Sequence, residues 1–208
     1  MEITCAARPG GDPGGIEDVI VTGGRFAVLV NTAGPGPGTH PPAHEICAQL
    51  VAGLIQHADT PLPALLDAAL GEAEAGPPAS GSEPPASLSV AVARTREGKV
   101  DLLLRGETAA LIQFPDLTVN EMLHSRYPGR ALVGSLPVSE ARRVCLLSEG
   151  ARRLADRCGW DCRRILDQVT AEGPDALLAK MRAAAPGDLA PPSRLPGASV
   201  ALCSPYTR

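Results

Sequence analysis

His40 and His44 stand four residues apart, with Glu45 and Cys47 just beyond them. On an α-helix that spacing presents two imidazoles from one face, as some zinc sites require, and either His or Glu45 could carry a proton. His40, however, precedes Pro41-Pro42, which places it on loop, and the plainer reading is a polar helix N-terminus. The preceding stretch, Asn31–His40, is glycine-rich and could cradle an anion with backbone N–H groups at the start of the next helix. It lacks the Lys-Ser/Thr pair of a phosphate loop, so it reads as a turn.

Other residue types offer less. Arg142, Arg143, Arg152, Arg153, Arg157, Arg163 and Arg164 cluster in sequence and could grip acidic groups, but Asp156, Asp161 and Asp167 interleave with them, as on solvated helix faces. Base-stacking aromatics are lacking, which excludes a single-strand nucleic-acid platform. Trp160, the only Trp, could anchor an interface or cap a core between helices. Six cysteines are scattered without a CxxC pair; Cys158 and Cys162 could share a helix face, but two thiols do not make a structural zinc site. With no secretory pattern at the N-terminus, reduced thiols in a cytoplasmic protein are expected.

The elements that must position these residues are legible from pattern. The 208-residue chain suits one domain, 1–208, with flexible loops at 75–87 and 186–197. Apolar residues make up 44% but aromatics only 2%, so the core must be aliphatic. The net charge of −4 demands neither nucleic acid nor membrane, and the apolar run Phe26–Val30 is too short to span a bilayer. Ile3–Ala6 reads as a strand. Glu17–Thr22 and Arg25–Val30 read as a hairpin across Gly23-Gly24. Helices are expected from Pro41–Pro42 to His57 and over Leu62–Glu74. Leu88–Arg94, Val100–Arg105 and Ala109–Phe114 read as an antiparallel meander, with turns at Glu97-Gly98 and Gly106-Glu107. Asp116–Tyr127 is ambiguous. Ala131–Leu136 and Arg143–Leu147 follow as strands. Helices then cover Glu149–Cys158, Cys162–Ala171 and Pro174–Ala184, before a closing strand at Ser199–Cys203. Segregated runs of strands and helices favour an α+β layered domain.

That order resembles the metal-dependent type 2C protein serine/threonine phosphatases, in their divergent, actinobacterial-type form. The Ala-, Arg-, Gly- and Pro-rich composition also suits a GC-rich genome. The resemblance rests on Ile16-Glu17-Asp18-Val19, similar to an early Asn-Glu-Asp strand, and on Phe26 to Gly34, similar to a strand ending in Asp-Gly-x-Gly. It rests further on Arg105-Gly106-Glu107-Thr108, on Cys145-Leu146-Leu147-Ser148-Glu149-Gly150, similar to Leu-Leu-x-Ser/Thr-Asp-Gly, and on Gly197-Ala198-Ser199-Val200 near the end. It implies a four-layer α-β-β-α sandwich of two antiparallel sheets. It also implies a pair of Mg or Mn ions that polarise a phosphoryl group and activate water.

Carried over residue by residue, the implied ligand set is depleted. Glu17 and Asp18 are retained. The bridging Asp is Asn31, the carbonyl-donating Gly is Thr32, the late Asp is Glu149, and the last-strand Asp is Gly197 or Ala198. The phosphate-gripping Arg is missing unless Arg8 or Arg25 replaces it. The residual metal set is therefore Glu17, Asp18, Thr32 and Glu149, with no cofactor expected, or Mg or Mn if any site survives. The sequence points to a pseudophosphatase-like regulatory module acting through another protein. The alternatives are an enzyme of altered chemistry in the same pocket, using Glu17, Asp18, Asn31, Glu149, His40 or His44, and a weak Mn/Mg-dependent phosphatase acting on a phosphorylated substrate.

Overall fold

The computed structural model describes residues 1–10, 17–33, 43–74, 87–124, 131–184 and 197–205. The elements run β1 (Glu2–Arg8), β2 (Glu17–Thr22), β3 (Phe26–Ala33), α1 (Ala43–Gln56), α2 (Leu62–Glu74), β4 (Ser87–Arg96), β5 (Lys99–Arg105) and β6 (Thr108–Gln113). They continue with β7 (Val119–His124), β8 (Leu132–Pro137), β9 (Arg143–Leu147), α3 (Glu149–Arg157), α4 (Cys162–Glu172), α5 (Pro174–Ala184) and β10 (Ala198–Ser204). Two five-stranded antiparallel sheets result, in the orders β1-β10-β9-β6-β7 and β2-β3-β4-β5-β8.

The strands explain the layers. Successive side chains on a strand point to opposite faces, so a strand covered on both sides reads as an unbroken apolar run. Ala27, Val28, Leu29 and Val30 of β3 are all fully buried. Val28 and Val30 pack with Ile46, Leu50, Leu62 and Leu66 of α1 and α2, whereas Ala27 and Leu29 face the other sheet. β4 and β9 divide in the same way: Val92 and Leu147 point to helices, Ala91 and Leu146 inward. The outer face of the β9 sheet is covered by Leu154, Leu166, Leu178 and Met181 of α3 to α5. The fold is thus the expected α-β-β-α sandwich, with an aliphatic core. The alternation of the strands requires both sheets to be covered, and five helices supply the cover.

Several boundaries differ from the sequence reading. The meander is broken: β5 pairs with β4 and β8, but β6 pairs with β7 and β9 in the opposite sheet. The crossing occurs at Gly106, whose φ of 71° lies in the left-handed region. A Cβ there would sit 2.6 Å from the Leu88 carbonyl oxygen. Only glycine lets the chain press this closely on β4 while it changes sheet. The ambiguous segment contains β7. Ser87, assigned to a loop, begins β4; the rest of 75–87 and 186–196 lies outside the described residues, and Gly197 is buried just ahead of β10. Among the described residues no helix is long and apolar enough to cross a membrane.

Candidate functional site

Asp18 and Asn31 face each other across the β2–β3 ladder, because the hairpin register pairs them directly. The Asn31 amide Nδ2 donates to Asp18 Oδ1. The other carboxyl oxygen is met from the opposite sheet. Ser199 Oγ, on β10, donates to Asp18 Oδ2 at 2.9 Å, and Ser148 Oγ lies 3.4 Å from the same atom. Ser148 is also the N-cap of α3, accepting from Ala151 N at 3.3 Å, and it accepts from Ser199 N at 2.9 Å. One carboxylate therefore ties β2 and β3 to β10 and to the start of α3. Burial raises the proton affinity of Asp18, while the three side-chain donors and the more distant charge of Arg182 pull it back down. Asn31 is fully buried, and its Oδ1 has no hydrogen-bond partner.

Glu149 opens α3 one residue after Ser148 and is 4% exposed. It is ion-paired with Arg153, one helical turn on, and Arg153 Nη2 also reaches Glu107 at 3.4 Å. Glu107 follows the Gly106 crossing, and its N–H is held by Ser89 Oγ at 3.1 Å. Burial raises the Glu149 pKa; Arg153 opposes this, while the charges of Glu107 and Asp18, and a hydrogen bond that the protonated Glu149 donates to Glu107, push it further up.

The remaining expected residues fall as follows. Glu17 pairs with Thr32 in the ladder, and Thr32 is half-buried beside Asn31. His40 lies outside the described residues. His44 and Glu45 are exposed on the first turn of α1, whereas Cys47 is buried on the opposite side, its thiol pushed up to about 11 by burial. Arg8 is spent on an ion pair with Asp175 of α5, 2.7 Å away. Trp160 packs against the α3–α5 core with the Arg164 guanidinium 4.4 Å from its ring centre, which is the core-capping role. Arg152–Asp156 and Arg163–Asp167 are i, i+4 surface pairs, as the interleaved charges suggested.

Sequence reasoning missed Ser148 and Ser199 as site residues. Ser148 carried an available signal, a Ser just before a helical run, but that signal speaks for a cap. Ser199 is fully buried in an otherwise apolar strand, an exception that needs a partner. Arg153 was read as one of a charge cluster, and its two carboxylate partners come from 4 and 46 residues away.

Hard divalent cations require several anionic oxygens, and affinity follows their charge count. Here Asn31, the residue the resemblance puts at the bridging position, is a neutral amide, Asp18 has both oxygens engaged by protein donors, and Glu149 is matched by a guanidinium. Among the described residues no group of three or more His, Cys, Asp or Glu converges. Among the described residues Asn31 Oδ1 is a buried oxygen without a hydrogen-bond partner, and a neutral amide oxygen adds no charge for a cation. The described donor set does not fit a two-metal centre.

No protein-family model matches the chain, and no curated protein matches it by sequence. Solved structures do match in fold. The Mycobacterium tuberculosis serine/threonine phosphatase PstP/Ppp aligns with a TM-score of 0.67 at 14% identity, covering 99% of both chains. The catalytic domain of PstP in complex with two manganese ions aligns at 0.60 and 14%, over 98% of this chain and 97% of that one. PppA of Pseudomonas aeruginosa, described as a key regulatory component of its type VI secretion system, aligns at 0.66 and 13%, over 97% and 96%. The chain thus has the fold of the type 2C, metal-dependent serine/threonine phosphatases along nearly its whole length.

Proposed function

We propose that this protein is a phosphatase-like binding or regulatory module that works through a protein partner in the cytoplasm, without two-metal hydrolysis. The observation that carries this reading is the saturation of Asp18: three side-chain donors, from Asn31, Ser148 and Ser199, occupy a carboxylate that metal binding would need free. A buried carboxylate so engaged acts as a strut between the two sheets, because its desolvation is offset only while its donors stay in place. The sandwich is complete, and the resemblance puts Asn31, and Gly197 or Ala198, where the family would carry ligand carboxylates, which supports a fold kept without the side chains that phosphate-ester hydrolysis would use. A regulatory role also agrees with the description of PppA, one of its structural relatives.

A second reading has a specific observation behind it: Asp18, with raised proton affinity, contacts two hydroxyls, the arrangement of a base beside a nucleophile. Ser148 and Ser199 are both fully buried, which closes them to substrate and weighs against it. The test is hydrolysis of p-nitrophenyl phosphate at millimolar manganese. The expected turnover is that of buffer alone. Manganese-dependent turnover that disappears in Glu149→Ala would replace the proposal with a weak phosphatase.

A further inference from the structure

Arg153 lies one turn into α3, in i,i+4 register with Glu149. Its guanidinium sits between Glu149, which is 94% buried at the side chain, and Glu107, which comes from the sheet crossing. The two carboxylates and one guanidinium carry a net charge of −1; without the guanidinium they would carry −2, with the charge of Asp18 felt at Glu149 as well.

We propose that Arg153 is the resident cation of this site: its guanidinium supplies the positive charge that Glu149 and Glu107 require and thereby keeps divalent cations out. Removing it leaves the Glu149 and Glu107 carboxylates free to take up one divalent cation in its place. The inference rests on the reading that the wild-type protein holds no metal pair. Its chemistry is simple. A guanidinium and a divalent cation compete for the same carboxylate oxygens, and the half-exposed Arg153 is the partner that a substitution can remove without opening the core.

The probe is Mn2+ alone, followed by loss of the free-ion electron paramagnetic resonance signal. The variants are Arg153→Gln, Arg153→Ala, Arg153→Lys, and Arg153→Gln combined with Glu149→Gln. Arg153→Ala has the better helix propensity and stands in if the glutamine variant is poorly folded. Both neutral variants should bind one Mn2+ about tenfold or more tightly than wild type, since affinity follows ligand charge. Arg153→Lys should show no such gain, and Glu149→Gln should abolish it. Folded neutral variants that bind no more tightly than wild type overturn this inference alone. A gain that survives Glu149→Gln also overturns it, because the cation would then lie elsewhere. Stoichiometric Mn2+ binding by the wild type that depends on Glu149 would overturn both this inference and the proposed function.

Discussion

Asp18 and Glu149 are neighbouring acids at one end of the sandwich, and the protein handles them differently. Asp18 is met by three uncharged donors drawn from β3, β10 and the α3 cap. Glu149 is met by a charge on its own helix and opposed by Glu107. The first arrangement is fixed by strand register and has no exposed member among its donors. The second depends on a long, half-exposed side chain that can leave. Neutral donors therefore make Asp18 a permanent structural tie, whereas Glu149 is held by a replaceable counter-ion. The difference separates a tie that joins the two sheets from an ion pair at a helix start.

The most damaging way to break the comparison is at the crossing that sets both clusters in place. Gly106→Ala puts a Cβ against the Leu88 carbonyl at positive φ and should cost about 3 kcal/mol, read from urea denaturation. Next, Ser199→Ala removes a hydrogen bond to a buried carboxylate and should cost about 2 kcal/mol by the same measurement. Asp18→Asn tests the electrostatics. Burial raises the folded-state pKa of Asp18 above its ordinary 3.8, so ionisation opposes folding. The contribution of Asp18 is intact below 3.8 and is lost as pH rises through the folded value. Wild-type stability should fall across that window relative to Asp18→Asn, whose own profile lacks this loss. Smallest of all, Glu149→Gln gives up the Arg153 pair but also relieves the repulsion from Glu107 and Asp18. Its cost should stay within about 1 kcal/mol, well below that of Ser199→Ala.

The elements were legible because apolar runs and helical periodicity record burial directly: β3, β4 and β9 read as strands, and the helices α1 to α5 begin and end close to their expected positions. The sheet to which β6 belongs was not legible. Gly106-Glu107 announces a turn, but whether a turn continues a hairpin or changes sheet depends on contact with Leu88 and Ser89, which are distant in sequence. The site followed the same rule. Asp18 and Asn31 were singled out by the family resemblance, and the hairpin register then pairs them. Ser199 is 181 residues from Asp18, and nothing in either neighbourhood encodes the pairing. The role of Arg153 was hidden by composition: among seven clustered arginines, only the three-dimensional position of Glu107 sets it apart.

Isothermal titration of Mn2+ and Mg2+ into metal-free protein tests whether the protein's own donors stand where metal ions would bind. Such occupancy gives no heat and no thermal shift at millimolar metal. Stoichiometric binding at micromolar affinity, lost in Asp18→Ala, would contradict it, since Asp18 would then have to give up its three protein donors to a cation.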